Sequence, residues 1–353
     1  MIGKVNQTGA DDPRTAFEVG YNTLVNSNSV LLEVKNLKTW FPIYSGLLSR
    51  RTGDVRAVDG VTLEIAPGET LGLVGESGCG KTTLGRSMLR LIEPTSGEVT
   101  FENENILKKD RKKMRAIRRK MQIIFQDPYA SLNPRMTVGR IISEPLVIHK
   151  AAAGKELDER VAELMAQVGL SRELAKRYPH EFSGGQRQRI GIARAVALKP
   201  RFIVCDEPVS ALDVSVQAQV LNLLMDLREK FNMAYLFISH DLSVVRHISD
   251  RVAVMYLGSI VEEAGSGELF KNPTHPYTEA LIASLPVADP EIKARKIVRK
   301  GDPPSPANPP PGCCFHPRCP VKRRECESTP QNLKEISTTT AKGHKVACMV
   351  RAP

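Results

Sequence analysis

After a polar start, the first third of the chain is built from short runs that alternate apolar and polar positions. Leu31-Leu32-Glu33-Val34, Val61-Thr62-Leu63-Glu64-Ile65 and Gly97-Glu98-Val99-Thr100-Phe101 are punctuated by Pro67-Gly68 and Pro94-Thr95-Ser96-Gly97, which predicts strands joined by turns. From Pro128 to about Glu181 the period changes. Val161, Leu164, Met165 and Val168 recur at three- and four-residue spacing, the mark of an inserted helical unit. Three runs apolar on both faces follow, Phe202-Ile203-Val204-Cys205, Tyr235-Leu236-Phe237-Ile238 and Val252-Ala253-Val254-Met255. They alternate with helical patterns, as a buried parallel sheet requires.

The two ends read differently. Residues 1–28 have no hydrophobic period and predict a mobile tail. Beyond Leu285 the composition shifts, and Pro303, Pro304, Pro306, Pro309, Pro310 and Pro311 predict a stiff extended linker into a Cys-rich end. The reading is therefore an α/β chain with a tail over 1–28, a main domain over 29–285 with a helical part at about 128–182, and an extension over 286–353.

Composition narrows the class. At 353 residues, 41% hydrophobic and 25% charged, the chain has material for a substantial core and is neither fibrous nor disordered throughout. No run approaches the ~18 apolar residues of a spanning helix, and the polar start lacks the apolar centre of a signal peptide. The expectation is a chain that neither spans a membrane nor is secreted. Of the net charge of +11, the stretch 108–120 supplies nine cations against one acid, Asp110. Such a run suits nucleic acid or an anionic surface, or is simply solvated; no aromatics are interleaved for base stacking. Cys313, Cys314, Cys319, Cys326 and Cys348 crowd the end of the chain, where metal binding is the reading to test.

Gly75-Glu76-Ser77-Gly78-Cys79-Gly80-Lys81-Thr82 fits G-x-x-x-x-G-K-[ST] and follows the apolar strand Leu71-Gly72-Leu73-Val74. Its glycines let successive backbone N–H groups close around phosphate oxygens, and a helix starting near Lys81 adds its positive end. The motif predicts nucleotide phosphates bound by Gly75, Ser77, Gly78, Cys79, Gly80, Lys81, Thr82 and Thr83, with Lys81 on the β- and γ-phosphates and Thr82 on Mg²⁺. Cys79 occupies a variable loop position and is read as a small filler. The apolar run at 202–205 ends in Asp206 and Glu207, whose side chains must point to opposite sides of the strand. The usual division in such enzymes gives Asp206 the Mg²⁺ and Glu207 the attacking water.

Phe182-Ser183-Gly184-Gly185-Gln186 resembles the signature of ATP-binding cassette (ABC) ATPases, usually Leu-Ser-Gly-Gly-Gln. Their other motifs follow the same resemblance: Gln126 in Phe125-Gln126-Asp127-Pro128, Asp213 in Ser210-Ala211-Leu212-Asp213, and His240 in Ser239-His240-Asp241. The resemblance implies an ABC-ATPase fold, with a RecA-like P-loop core, an antiparallel β subdomain and a helical insert. It also implies head-to-tail pairing of two subunits, in which each ATP lies between one P-loop and the other subunit's Ser183, Gly184, Gly185 and Gln186. Gln126 would sense the γ-phosphate and join the Mg²⁺ ligands, Asp213 would organise the dimer interface, and His240 would hold the γ-phosphate and water. The family stacks an aromatic on adenine, and Phe41, or else Tyr44, is placed for it; the stretch from Ile43 to Arg56 looks like an insertion.

A narrower resemblance covers residues 31 to about 350. Ser131-Leu132-Asn133-Pro134-Arg135, His275-Pro276-Tyr277-Thr278, Pro309-Pro310-Pro311-Gly312-Cys313 and His316-Pro317-Arg318-Cys319-Pro320 are similar to ATP-binding subunits of bacterial dipeptide/oligopeptide importers, most of all their F-type subunit. This implies a peripheral protein at the cytoplasmic face of the membrane, with two permeases, a second and often different ATP-binding subunit, and an extracytoplasmic peptide-binding protein. Cys313, Cys319, Cys326 and Cys348 match tail cysteines that hold a [4Fe–4S] cluster in some members, with Cys314 able to replace Cys313. Four thiolates also suit Zn²⁺, although their spacing departs from zinc ribbons, and free buried or surface thiols are the remaining reading. Other readings are an importer ATPase for another solute such as nickel, and a soluble ABC-type ATPase acting on nucleic acid or ribosomes. The basic run is that last reading's only support.

Overall fold

Burial alternates along the apolar runs with the period of two that a strand imposes. Leu71, Leu73, Phe202, Val204, Leu236 and Ile238 enter one buried cluster, while Val74, Ile203, Cys205, Tyr235 and Phe237 enter another. These runs form the middle of a sheet covered on both faces, as in doubly layered α/β domains. The computed structural model describes residues 30–46, 49–285, 301–336 and 343–351; the stretch read as a tail, 1–28, lies outside them.

The strands are β1 (Leu32–Ser45), β2 (Arg50–Ile65), β3 (Thr70–Val74), β4 (Ser96–Phe101), β5 (Glu104–Asn105), β6 (Met121–Ile124), β7 (Phe202–Asp206), β8 (Ala234–Ile238), β9 (Arg251–Tyr256), β10 (Ser259–Gly265), β11 (Lys334–Glu335) and β12 (Lys345–Val346). The helices are α1 (Lys81–Met88), α2 (Arg111–Ile117), α3 (Pro128–Ser131), α4 (Val138–Ile148), α5 (Gly154–Gln167), α6 (Gly184–Val196), α7 (Val214–Phe231), α8 (Leu242–Ile248), α9 (Ser266–Lys271) and α10 (Pro276–Ile282). One sheet runs β2-β1-β4-β5 and the other β11-β12-β10-β9-β3-β8-β7-β6. In the larger sheet β6, β7, β8, β3 and β9 are mutually parallel, so their carboxyl ends form one rim. Of the stretch read as an insertion, residues 43–45 and 50–56 are the far end of a β1–β2 ribbon that stays paired to Ser45 and Arg50.

The predicted helical stretch folds as α3, α4 and α5, and Val161, Leu164, Met165 and Val168 all bury in one core cluster with Val138, Ile141 and Leu146 of α4. Residues 301–336 and 343–351 pack against the strands and helices that precede them. Pro306 O accepts a hydrogen bond from Arg56 N at 3.0 Å, β12 pairs with β10 through Glu262 and Val346, and Phe315 is buried beside Tyr256 and Tyr277.

Glu262, fully buried, gathers this region. Its carboxylate accepts from Thr274 N at 2.7 Å and His275 N at 3.0 Å, and His344 Nε2 lies 2.8 Å away. His275 caps α10, its Nδ1 accepting from Tyr277 N at 3.1 Å, so that nitrogen carries no proton. Burial pulls the His275 pKa down from 6.5 to about 4, with Glu262 opposing. A depressed folded-state value means that this group's contribution is complete above pH 6.5 and is lost as pH falls toward 4. We expect the thermal midpoint to fall across that window, by the equivalent of up to about 3 kcal/mol, and His275→Gln to flatten the slope. Identical pH profiles for the two proteins, followed by circular dichroism, would remove His275 as the cause.

Candidate active site

The P-loop fills the turn between β3 and α1. Gly75, Gly78 and Gly80 have φ of +155°, +77° and +109°, and at two of them space is as demanding as conformation. A Cβ on Gly75 would lie 2.2 Å from Met255 O, and one on Gly80 1.9 Å from Ala57 O. Ser77 and Gly78 form the exposed crown. Lys81 is buried, its Nζ donating to Gly75 O at 2.8 Å and Glu76 O at 3.0 Å. Cys79 turns into the core, where burial pushes its thiol up; its amide donates to Glu76 O at 3.2 Å, which fits a filler. Thr83 follows, half-buried, on α1.

Thr82 Oγ1 donates to Asp206 Oδ1 at 2.7 Å, joining the P-loop to the end of β7. Asp206 is 1% exposed; burial raises its pKa, opposed by the Thr82 hydroxyl and the Arg86 charge. Its second oxygen, Oδ2, is buried without a hydrogen-bond partner among the described residues, with Arg86 Nη2 3.6 Å away. A buried carboxylate oxygen left open beside a threonine hydroxyl is the donor set a hard dication takes, so these residues fit Mg²⁺.

Glu207 directly follows Asp206, the last residue of β7. Its φ of +46° is a left-handed conformation that a non-glycine residue holds only under constraint from its surroundings. Its Oε2 accepts from Gln126 Nε2 at 2.8 Å and lies 3.2 Å from His240 Nδ1. Gln126 follows β6, Glu207 follows β7 and His240 follows β8. Because these three strands are parallel neighbours, three distant residues meet at one carboxylate oxygen.

Ser183 caps α6 in a reciprocal capping box: Gln186 N donates to Ser183 Oγ at 3.4 Å and Ser183 N to Gln186 Oε1 at 3.0 Å. Arg187 Nε to Pro179 O and Arg194 Nη1 to Ser131 O, both 2.6 Å, tie α6 to the helical insert. Gly185 has no room for a side chain, since its Cβ would meet Val216 Cγ1 at 2.4 Å, and Gly184 lies over Leu212. Ser183, Gln186 and Asp213, the last at the residue preceding α7, are exposed. Phe41 and Tyr44 are also exposed. Phe41 pairs with Val55, two residues before the Ala57 carbonyl that abuts Gly80, which leaves it the nearer of the two to the loop along the ribbon.

Cys313, Cys319, Cys326 and Cys348 line one small cavity with His275, Phe315, His316 and Met349. Burial pushes the Cys313 thiol up to about 11 and raises Cys319 as well. Convergence in space stops short of a metal site: among the described residues no three His, Cys, Asp or Glu side chains are placed to hold an ion. Burial favours the neutral form of the Cys313 and Cys319 thiols, so a soft metal would have to displace their protons. Cys314 lines a separate groove, its Sγ 4.0 Å from Pro310 O. In the basic run, Lys108, Lys109 and Lys120 pair with Glu98, Glu104 and Glu102 at 3.5, 2.5 and 2.5 Å, so the antiparallel sheet neutralises part of it.

The fold and this set of motifs define an ATP-binding cassette ATPase. Residues 58–210 match the ABC transporter family, and residues 261–326 match the family described as oligopeptide/dipeptide transporter, C-terminal region. The chain is 55% identical to the oligopeptide transport ATP-binding protein AppF of Bacillus subtilis, over 91% of this chain and 98% of the relative. It is 49% identical to the oligopeptide transport ATP-binding protein OppF of Escherichia coli (93% and 98%) and 48% identical to the dipeptide transport ATP-binding protein DppF of Haemophilus influenzae (92% and 98%). Among solved structures, a dimeric post-hydrolysis ATP-binding cassette holding ADP and Pi superposes with a TM-score of 0.60 at 30% identity, covering 67% of this chain and 98% of that one. The chain belongs to the ATP-binding subunits of oligopeptide/dipeptide ABC transporters. Among the described residues no helix is long and apolar enough to cross a membrane.

Sequence reasoning passed over Arg86, which faces Asp206, and the roles of Glu76, Tyr277 and Arg318. The last two sit in the His-Pro-Tyr-Thr and His-Pro-Arg-Cys-Pro strings that carried the narrower resemblance, so a signal was present without a mechanism.

Proposed function

We propose that this subunit hydrolyses ATP to drive import of di- or oligopeptides through partner permeases. The observation that carries the catalytic part is the convergence of Gln126, Glu207 and His240 on one oxygen beside the Thr82–Asp206 pair. In this reading Glu207 takes the proton of the attacking water, His240 holds that water and the γ-phosphate, and Gln126 reports the γ-phosphate to the helical insert it precedes. The P-loop amides and Lys81 bind the phosphates, and Phe41 stacks on adenine. Thr82 and Asp206, with Gln126, hold Mg²⁺, which when bound neutralises charge on the β- and γ-phosphates.

The partner part rests on the relatives, which are named for oligopeptide and dipeptide transport, and on the exposure of Ser183, Gln186 and Asp213. An exposed capped helix start is suited to the ATP of a facing subunit. The proposed assembly has two permeases that receive the insert around α3 to α5, a second ATP-binding subunit and an extracytoplasmic peptide-binding protein, at the cytoplasmic membrane face. No nucleic acid partner is included. For the extension, four thiols around one cavity support a soft-metal group, and Cys313, Cys319, Cys326 and Cys348 would hold a [4Fe–4S] cluster there. Because no three of them approach as one ion demands, zinc is the weaker choice.

One preparation tests these points. The Glu207→Gln subunit, purified anaerobically from native membranes with MgATP, is expected to bring down polytopic permeases, a second ATPase and a solute-binding protein, and to contain iron and acid-labile sulfide. Recovery of ribosomal or DNA-repair proteins from the soluble fraction would sink the transport reading. Iron-free protein carrying four alkylatable thiols would sink the cluster.

A further inference from the structure

Arg318 belongs to the extension, 242 positions from its partner Glu76 in the P-loop, and its side chain is only 6% accessible. Nη1 lies 2.9 Å from Glu76 Oε2 and Nη2 3.0 Å from Oε1, two parallel bonds in the planar fork that guanidinium and carboxylate share. Nη1 also approaches Tyr256 Oη at 3.4 Å. The arginine is itself held. It shares a single turn of 3₁₀ helix with Phe315, closed by Arg318 N to Phe315 O at 3.0 Å. Phe315 is buried against Tyr256 and Tyr277, with ring centroids 5.2 and 5.5 Å away.

Glu76 is gripped along its whole length. Its amide donates to Tyr277 Oη at 2.9 Å, its carbonyl accepts from Lys81 Nζ at 3.0 Å and from Cys79 N at 3.2 Å, and its carboxylate takes the Arg318 fork. Two of these grips come from outside the nucleotide core, from α10 and from the extension. The charge matters as much as the geometry. A carboxylate in a loop that receives a polyphosphate repels it, and a bidentate arginine cancels that repulsion while fixing the backbone carbonyl on which Lys81 rests.

We infer that Arg318 is a positioning residue of the nucleotide site, through which the Cys-rich extension holds and neutralises the second residue of the P-loop. The inference rests on the P-loop binding ATP. The bland alternative is that the pair merely docks the extension. A buried ion pair is a costly way to dock a segment compared with apolar packing, and in that case its loss would lower stability and leave nucleotide affinity alone.

A double-mutant cycle in the full-length subunit separates the two, with MgATP affinity read by calorimetry and stability by thermal melting. Arg318→Met is expected to weaken MgATP binding about tenfold, and Arg318→Lys, which keeps the charge and loses the fork, about threefold. In a Glu76→Gln background, Arg318→Met is expected to change affinity less than about twofold, because the repelling charge and its partner are gone together. Steady-state ATP hydrolysis by Arg318→Met should show the change in KM more than in kcat. Equal weakening in both backgrounds, or lowered melting with unchanged affinity, overturns the inference. If Arg318→Met does not fold, the same cycle is run with Arg318→Lys and read by the same criteria. A parent protein that fails to bind MgATP would refute the ATPase reading itself, which is a different result from either.

Discussion

Glu207→Gln is expected to bind MgATP as the parent does and to hydrolyse it about 10²–10³-fold more slowly, a loss of about 3–4 kcal/mol of transition-state stabilisation. The replacement is nearly isosteric. Its amide oxygen still accepts from Gln126 Nε2, now 2.8 Å from the carboxylate, and the Thr82–Asp206 hydrogen bond does not involve it. What disappears is the negative charge beside His240 and the capacity to take a proton from water. The prediction is therefore a separation: affinity by equilibrium titration unchanged, turnover by phosphate release in the assembled transporter collapsed. Near-normal turnover of the variant, assembled with its partners, would strip Glu207 of the role given to it and leave the chemistry to His240.

The parts readable from the sequence are those whose physics is local. β3, β7, β8 and β9 announce themselves because a strand covered on both faces is apolar along most of its length, and the P-loop because its glycines recur within eight residues, although the close approach of Gly75 to Met255 and of Gly80 to Ala57 is not written in the motif. The convergence of Gln126, Glu207 and His240 is not local. It follows from the parallel order of β6, β7 and β8, which no motif states; the resemblance gave Gln126 and His240 their roles but not their meeting at Glu207. The ribbon beyond Ile43 was hidden for another reason: near its tip Tyr44, Ser45, Arg50 and Arg51 are all exposed, so alternation fades where the strands continue. Docking of the extension was the least visible feature. β12 is two residues long, and the Arg318–Glu76 pair joins positions with no periodic relation. The cysteines fall between these cases: their crowding foretold that they meet, and only the packing around them says how closely.

Gly80→Ala is expected to destroy nucleotide binding, with MgATP affinity lowered more than about 100-fold, although it adds a single methyl group. Gly80 has φ of +109°, outside the region an L-residue adopts without strain, and the added Cβ would lie 1.9 Å from Ala57 O, 3.0 Å from Met255 Cε and 3.1 Å from Ala57 C. Ala57 is backbone in β2 and cannot swing aside as a side chain would. The loop is pinned there a second time, since Gly258 N donates to Cys79 O and Asp59 N to Gly258 O, each at 2.9 Å. The methyl group must therefore displace the P-loop itself, at the residue that caps α1 and directly precedes Lys81. Conformational strain of about 1–2 kcal/mol and overpacking of about 1–3 kcal/mol combine, enough to lower the thermal midpoint by several degrees. Gly78→Ala is the control. It also carries a positive φ, +77°, but nothing lies within 4 Å of the added Cβ, so it meets strain without collision and loses far less stability. Equal melting of the two variants would show that the contact with Ala57 yields cheaply. An alanine variant at Gly80 that bound MgATP like the parent would show that the phosphate cradle does not depend on the close approach of this turn to β2.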